Sequence, residues 1–170
     1  MDIFIIKVVE ADEIHKNLLK EFEKKQISNP ETWNVHCLSY LMVDRILKEV
    51  YKIENREIIF NNKKPILKTG EKSFSISHSE DFIALAFSDF DCGIDIERIK
   101  IRDYEKISKR MNFKCNSLEQ FYFEWTRFEA EYKLGKDKNA VSIKNYKLED
   151  YVLTVVSENN DEIYEIYYQK

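Results

Sequence analysis

The segment Gly93-Ile94-Asp95-Ile96-Glu97 alternates apolar and acidic residues over its last four positions, a pattern typical of a β-strand. Side chains two positions apart lie on the same face of a strand, so the two isoleucines would share one face and the two carboxylates the other. At a rise of about 3.3 Å per residue, the acidic Cα atoms would be roughly 6.5 Å apart, and the charges would repel. Two interpretations follow: an acidic strand face in water, or a pair of oxygen ligands for a hard divalent cation.

Strand and helix patterns on either side of this segment predict an α+β fold. Ser73 to Ser77 alternates, which predicts a strand with Phe74 and Ile76 inward, and a turn is expected at His78–Asp81. Other strands are expected at Ile3–Val9, Ile58–Phe60, Phe82–Phe87, Ile143–Leu148, Tyr151–Val156 and Ile163–Tyr168. Helices are expected at Asp12–Lys25, from Pro30 to about Tyr51, at Tyr104–Met111 and at Ser117–Leu134.

Composition excludes several classes of protein. The 170 residues, 44% apolar and 14% aromatic, suffice for one domain or two small packed halves. A net charge of −4 without a dense basic run argues against nucleic-acid binding. Cys37, Cys92 and Cys115 are far apart and form no CxxC motif, so neither a zinc site nor a disulfide framework is indicated. Since no signal peptide or membrane-length apolar run is recognisable, we expect a cytoplasmic protein.

The helix predicted from Ser117 to Leu134 places a carboxylate where a core residue is expected. Projection at 100° per residue gives an aromatic face that we expect to be core, formed by Leu118, Phe121, Tyr122, Trp125, Phe128 and Tyr132. Ala130 falls on the opposite, polar side. Glu129 lies inside the aromatic arc, and Lys133 lies at its edge.

Three interpretations of Glu129 remain open. An ion pair with Lys133 at the rim of the core would stabilise the helix by only about 0.3–0.5 kcal/mol, and a partly solvent-exposed face would also tolerate the charge. In the third interpretation, Glu129 faces a polar site and shares a metal with Asp95 and Glu97. Three oxygen ligands with open positions for water and phosphate are typical of a magnesium site for phosphoryl chemistry.

The sequence Ser77-His78-Ser79 is a further candidate site. Adjacent serine and histidine rarely form a nucleophilic pair, and no glycine elbow surrounds Ser77. Two interpretations remain: His78 caps the local turn, or the hydroxyls, imidazole and backbone N–H groups bind a phosphate at the end of a strand.

Together these motifs resemble, in order and spacing, the 4′-phosphopantetheinyl transferases of the surfactin-synthetase-associated type. The resemblance covers about Lys63 to Lys136. The matching segments are Lys63-Lys64-Pro65, Phe74-Ser75-Ile76-Ser77-His78-Ser79, Gly93-Ile94-Asp95-Ile96-Glu97 and Trp125-Thr126-Arg127-Phe128-Glu129-Ala130-Glu131-Tyr132-Lys133. Each is weak alone, and the set is specific.

The resemblance implies a fold and a reaction. The family fold is a pseudo-twofold pair of α+β halves with the active site between them, which here gives an N-terminal half of residues 1–90 and a C-terminal half of residues 91–170. Such an enzyme moves the 4′-phosphopantetheine arm of coenzyme A to a serine of an acyl or peptidyl carrier protein. It releases adenosine 3′,5′-bisphosphate and requires Mg²⁺. A chain that contains both halves can complete its site as a monomer.

The resemblance also implies roles for individual residues. The ligands that would hold Mg²⁺ against the pyrophosphate are Asp95, Glu97 and Glu129. The residues that would contact the phosphates of coenzyme A are Lys64, Ser77 and His78. Glu129 would take the proton from the carrier serine, and Lys133 would neutralise or protonate the leaving bisphosphate.

Two departures from the family pattern bear on activity. Phe128 stands where the family usually has a lysine before the helix glutamate, and the stretch from Phe113 to Trp125, which in the family helps to dock the carrier, is shorter than in most members. For the adenine end of coenzyme A, the candidates are His36, Lys24 and Lys25. An alternative is therefore a degenerate member that binds coenzyme A or a carrier protein without catalysis. A different Mg²⁺-dependent phosphate enzyme, such as a small nucleotide hydrolase, is a third hypothesis.

Overall fold

The computed structural model describes residues 1–8, 30–61, 63–135, 137–160 and 165–169. Helices in these residues are α1 (Pro30–Glu49), α2 (Tyr104–Met111) and α3 (Leu118–Leu134). Strands in these residues are β1 (Asp2–Lys7), β2 (Ile58–Asn61), β3 (Lys64–Leu67), β4 (Ser73–Ser79), β5 (Phe82–Ser88), β6 (Cys92–Arg98), β7 (Ser142–Leu148), β8 (Tyr151–Ser157) and β9 (Glu165–Gln169). The mixture of helices and sheets confirms the α+β class.

The first sheet has four strands in the order β4-β5-β1-β9. β5 is antiparallel to β4 and β1, whereas β9 runs parallel to β1 and brings the last described residues beside the first. Phe4 and Ile6 pack in a core with Leu47 of α1. Ile3 and Ile5 pack in a second core on the other face. Burial of both faces explains why β1 is an unbroken apolar run.

The second sheet has three antiparallel strands in the order β6-β8-β7. Ile94 and Ile96 of β6, with Leu153 and Val155 of β8, pack against the second core of the first sheet. Because side chains alternate along β6, the opposite face carries Gly93, Asp95 and Glu97, and α3 packs on this side. The layers are therefore α1, first sheet, second sheet and α3.

Contact between α3 and β6 requires a glycine. A Cβ atom at Gly93 would lie 2.0 Å from the carbonyl oxygen of Ala130 and 2.8 Å from the backbone nitrogen of Leu134. Both obstacles are helix backbone, which cannot rotate away as a side chain can. The Gly93–Ala130 contact thus brings the outer face of β6 directly against the last two turns of α3.

The beginning of α3 follows the sequence prediction, and its buried face follows it in part, since Phe121 and Tyr122 are fully buried as expected. The Ser117 hydroxyl accepts a hydrogen bond from the backbone N–H of Gln120 at 3.2 Å, as expected for a helix cap. Ala130, predicted to lie on the wet side, is fully buried. Phe128 and Tyr132, predicted to be core, are 41% and 58% exposed. The prediction was wrong because the Gly93–Ala130 contact rotates a different arc of the helix towards the sheet.

Strand β4 differs from its prediction in length and in burial. It continues through Ser79, so the predicted turn begins only at Glu80. Phe74 is buried as expected, and Ser75 and Ser77 on the opposite face are also buried, at 4% and 6% exposure. The alternation therefore predicted a strand correctly, but the serine face does not lie in water.

Other expectations concern the helices, the cysteines and the membrane. The helix predicted at Asp12–Lys25 lies outside the described residues, together with Lys24 and Lys25. Cys37, Cys92 and Cys115 form no disulfide bond with one another. Within the described part of the chain, no helix is long and apolar enough to cross a membrane.

Candidate functional site

Side chains join the adjacent edges of the two sheets, between β4 and β6. Three hydroxyls of β4 accept hydrogen bonds from backbone N–H groups of β6: Ser75 from Ile94 (3.1 Å), Ser77 from Ile96 (3.3 Å) and Ser79 from Arg98 (3.0 Å). The sequence offset is 19 residues in each bond, which means that the strands run parallel. We call this contact, formed by Ser75, Ser77 and Ser79 with β6, the serine seam.

Two lysines satisfy backbone carbonyl groups of β6. The Lys133 ammonium donates to the carbonyl of Ile94 at 3.0 Å. The Lys64 ammonium donates to the carbonyl of Cys92 at 3.3 Å and to that of Leu134 at 3.2 Å. Side-chain hydroxyl acceptors and ammonium donors thus satisfy this edge of β6. In other sheets a neighbouring strand would do so.

Asp95 is the most enclosed charge of the predicted site, with 5% exposure. Its Oδ1 accepts hydrogen bonds from the Ser77 hydroxyl at 2.7 Å and from Lys133 Nζ at 2.8 Å. Its Oδ2 is buried and has no hydrogen-bond partner among the residues that the structure describes. A buried carboxylate oxygen without a partner is destabilising by about 1–3 kcal/mol or more. Asp95 therefore retains one strong acceptor directed at no protein donor.

Glu97 and Glu129 share the electrostatic environment of Asp95. Burial, followed by the charge of Asp95, raises the pKa of Glu97, although hydrogen bonding by Ser79 and Trp125 opposes the change. Burial and then the charge of Asp95 also raise the pKa of Glu129, and Lys133 opposes this change. Burial and the charge of Asp95 therefore disfavour the anionic forms of Glu97 and Glu129. A cation bound nearby would stabilise these anions.

His78 lies on the other side of β4 and is solvent-exposed. Desolvation of its ring, followed by the positive charge of Lys133, lowers the pKa of His78, and the charge of Asp95 partly opposes this. The imidazole is therefore neutral near pH 7 and can donate one N–H bond.

Most of the residues predicted from sequence belong to one electrostatic cluster. Hydrogen bonds connect Asp95, Ser77 and Lys133, and charge interactions connect Asp95 with Glu97, Glu129 and His78. Lys64 belongs to β3, and its ammonium reaches the beginning of β6, where it lies 3.9 Å from Asp91 Oδ1 and bonds to backbone carbonyls. Ser77 and Lys64 thus make bonds within the protein, whereas His78 offers its ring to solvent.

The donors fit a divalent ion in chemistry, but their positions do not form a coordination shell. Hard cations prefer carboxylate oxygens, and the unpartnered Oδ2 of Asp95 is such an oxygen. Among the described residues, however, no three His, Cys, Asp or Glu side chains are arranged to hold an ion. Joint ligation by Asp95, Glu97 and Glu129 would require their oxygens to converge further.

An aromatic cluster of Phe113, Trp125 and Phe128 lies next to this site, and of the three rings only that of Phe128 is exposed. The Phe128 ring is centred 6.0 Å from Phe113 and 6.4 Å from Trp125. Because Phe128 directly precedes Glu129, it places an apolar surface beside that carboxylate. A separate cavity of about 560 Å³ beside α2 is lined by Tyr104, Cys115 and neighbouring residues, and it contains none of the predicted site residues.

Sequence reasoning missed the roles of Ser75 and Ser79. Ser75 accepts from β6 without a carboxylate opposite, because Gly93 stands there. Ser79 accepts from Arg98 and also donates to Glu97 Oε2 at 3.3 Å. The available signal was a serine at every second position from Ser73 to Ser79. A strand face exposed to water accepts many polar residues, so four serines in a row on one face indicate a specific contact.

Comparison with known proteins adds no assignment to this geometry. No protein-family model matches the chain. No curated protein matches it significantly.

Proposed function

We propose that this chain is a Mg²⁺-dependent 4′-phosphopantetheinyl transferase of the surfactin-synthetase-associated type. It is composed of two α+β halves, about 1–90 and 91–170, with the active site between them, and it acts as a monomer on an acyl or peptidyl carrier protein. The observation that supports this most strongly is the environment of Asp95, where Ser77 and Lys133 bond to one carboxylate oxygen and the other is buried without a partner.

The substrate phosphates require positive charge and hydrogen-bond donors. Asp95, Glu97 and Glu129 would hold Mg²⁺, which would supply positive charge for the phosphates of coenzyme A. The exposed His78 imidazole donates an N–H bond to a phosphate oxygen. Lys64 and Ser77, whose donors bond within the protein, redirect them to the substrate phosphates.

In the transfer step, the carrier serine oxygen bonds to the phosphorus atom that bears the pantetheine arm. The bond from that phosphorus to the oxygen of adenosine 3′,5′-bisphosphate breaks, and its electron pair leaves with the bisphosphate. Glu129 accepts the serine proton as a general base. Lys133 neutralises the charge that develops on the leaving group.

The proposal is tested by intact-mass measurement of apo carrier proteins incubated with the chain, coenzyme A and Mg²⁺. We expect the mass of the phosphopantetheine arm to appear on at least one member of a panel of fatty-acid, polyketide and peptide-synthetase carriers. Asp95→Ala should abolish transfer, and Glu129→Gln should slow it by about 10²–10⁴-fold, the usual contribution of a general base. Glu124→Gln, on the same helix outside the cluster, is the control.

Lack of any mass shift across the panel, with a folded protein, would refute the transferase proposal. Equal rates for wild type and Glu129→Gln would refute the role of that residue.

A second candidate function is binding of coenzyme A or a carrier without catalysis. Phe128 favours it, because this residue removes a cation beside the site and leaves an aromatic ring 41% exposed. Calorimetric titration separates the two candidates: Mg²⁺-dependent binding of coenzyme A without transfer to any carrier indicates the binding protein.

A further inference from the structure

The cavity of about 560 Å³ beside α2 lies between one face of that helix and the segment that follows it. Tyr104 and Ser108 line it from successive turns of α2, and Phe113 and Cys115 line it from the segment after the helix. Binding sites for small molecules commonly have volumes of about 300–1,000 Å³. The cavity is therefore large enough for a small organic ligand.

Contacts within the protein hold the walls of this cavity in place. The rings of Tyr104 and Phe113 are each centred 6.3 Å from the ring of Phe121, which is fully buried. The hydroxyl of Ser108, a residue 6% exposed, donates to the carbonyl of Tyr104 at 2.6 Å and lies 2.9 Å from Cys115 Sγ. Because the walls are formed before a ligand arrives, little ordering of side chains opposes binding.

The cavity also presents hydrogen-bond donors that no protein acceptor uses. Within the described residues, the Lys109 ammonium and the side-chain amides of Asn112 and Asn116 have no hydrogen-bond or ion-pair partner. An ammonium donates three hydrogen bonds and an amide nitrogen two. The polar part of the lining is therefore suited to an acceptor, and a carboxylate is a strong one.

The local charge favours an anion as well. The chain has a net charge of −4, yet the stretch from Tyr104 to Asn116, which contains every lining residue, has four cations and one carboxylate, that of Glu105. None of the four cations forms an ion pair with another described residue. The cations are Lys106, Lys109, Arg110 and Lys114. Stabilisation of the helix end by its last turn would explain Lys109 and Arg110 but not the other two.

We propose that this cavity binds a small organic carboxylate. The apolar body of the ligand contacts the rings of Tyr104 and Phe113, and its carboxylate accepts hydrogen bonds from Lys109, Asn112 and Asn116. The charge of Glu105 opposes binding, and the four cations outweigh it. None of the residues of the proposed transferase site lines the cavity, so this binding does not depend on the proposed reaction.

Lys106→Glu is the matched control for Lys109→Glu. Each substitution reverses the charge of one exposed cation on α2, but only Lys109 lines the cavity. A difference in affinity between the two variants therefore isolates the contact of Lys109 with the ligand from the general charge of the helix. Thermal unfolding of both variants checks that the fold is retained.

The experiment is a titration of the whole isotope-labelled chain, followed by nuclear magnetic resonance, with three probes that share one aromatic body: naphthoate, the neutral naphthamide and the cationic naphthylmethylammonium. We expect saturable shifts of the backbone amide resonances between Tyr104 and Asn116 with naphthoate, and much weaker binding of the other two. Lys109→Glu should weaken naphthoate binding by about 10–100-fold, as expected for loss of a hydrogen bond to a charged group. Lys106→Glu should weaken it by no more than about twofold, because salt screens a charge that does not touch the ligand.

Three results would overturn the proposal. The first is the absence of saturable binding by naphthoate, or resonance shifts centred away from the cavity. The second is naphthamide binding as tight as that of naphthoate, which would show that the carboxylate is not recognised. The third is equal weakening by Lys106→Glu and Lys109→Glu, which would attribute binding to the overall charge of α2.

Discussion

The two edges of strand β6 are satisfied in different ways. Along one edge, every residue from Cys92 to Arg98 is paired with β8, from Ser157 to Tyr151, in a regular antiparallel ladder. Along the other edge, serine hydroxyls accept the N–H groups of β6 and two lysines donate to its carbonyls. A backbone ladder tolerates many side chains, whereas the serine seam depends on the identity of each residue. Lys64, Ser77 and Lys133 of the proposed site make bonds along this second edge.

The largest expected effect comes from Gly93→Ala, which forces α3 away from β6. Because the added Cβ would lie 2.0 Å from a helix carbonyl oxygen, we expect the free energy of unfolding to fall by about 3 kcal/mol or more. Displacement of α3 removes the Lys133 bond to the Ile94 carbonyl and leaves the ladder between β6 and β8 in place. Hydrogen exchange should therefore show greater loss of protection at the Ile94 and Ile96 amides than in β8.

Gly70→Ala is the control for this substitution. Gly70 has a φ of 71°, but a Cβ added there would have no atom within 4 Å, so only the local strain of about 1 kcal/mol is expected. Equal destabilisation by the two variants would show that close packing of α3 on β6 is not what Gly93 provides.

A smaller effect is expected from Lys133→Met, which leaves Asp95 buried without a cation. Hydrogen bonds to charged groups stabilise by about 1.5–3 kcal/mol, and the loss should lie in that range because Lys133 keeps part of its surface in solvent. The double variant Lys133→Met with Asp95→Asn should recover much of the stability. Denaturant unfolding of wild type, Lys133→Met, Asp95→Asn and the double variant measures the coupling between the two residues.

Arg127 supplies the comparison on the same helix. Its pair with Glu131 is at the surface, with side chains 47% and 38% exposed, so Arg127→Met should change stability by only about 0.3–0.5 kcal/mol. A loss as large as that for Lys133→Met would remove the distinction between a buried and an exposed ion pair.

The smallest effect is expected at Asp91, the residue immediately before β6. Burial raises the pKa of Asp91, but the hydrogen bond from Lys138 and the charge of Lys64 outweigh it, so the net pKa lies below its usual 3.8. A lowered carboxylate pKa stabilises the fold above the unfolded-state pKa, and this stabilisation is lost as the pH falls through the folded-state pKa. Asp91→Asn should therefore destabilise near pH 7 by about 1 kcal/mol or less.

The pH dependence of unfolding distinguishes this charge effect from lost packing. The difference between wild type and Asp91→Asn should shrink as the pH falls below about 4. In a Lys138→Met background the substitution should matter less, since Lys138 contacts Asp91 at 2.8 Å. A difference that is constant from pH 7 to pH 3 would contradict the electrostatic explanation.

Local patterns in the sequence predicted the elements but not how they meet. Alternation identified β4 and β6, and the capping pattern identified the start of α3 at Ser117. The helical projection misplaced Ala130 and Phe128, because periodicity gives an apolar arc and cannot specify which neighbour approaches it. Gly93 decides that approach from another part of the chain.

The candidate site was predictable only in its residue types. The misplaced charge of Glu129 and the acidic alternation of β6 were visible in sequence, and the structure connects both electrostatically with Asp95. The roles of Ser75 and Ser79 were not visible, because they arise from a register between strands of two different sheets. Such a register is a property of packing and leaves only a serine periodicity in the sequence.

Anomalous diffraction from crystals grown with Mn²⁺ and coenzyme A tests most directly whether the serine seam carries a metal-dependent phosphate site. We expect one anomalous peak bounded by carboxylate oxygens of Asp95, Glu97 and Glu129, with the pyrophosphate of coenzyme A beside it. Coenzyme A bound at the seam with no anomalous peak, or a peak away from these three carboxylates, would contradict the proposed site.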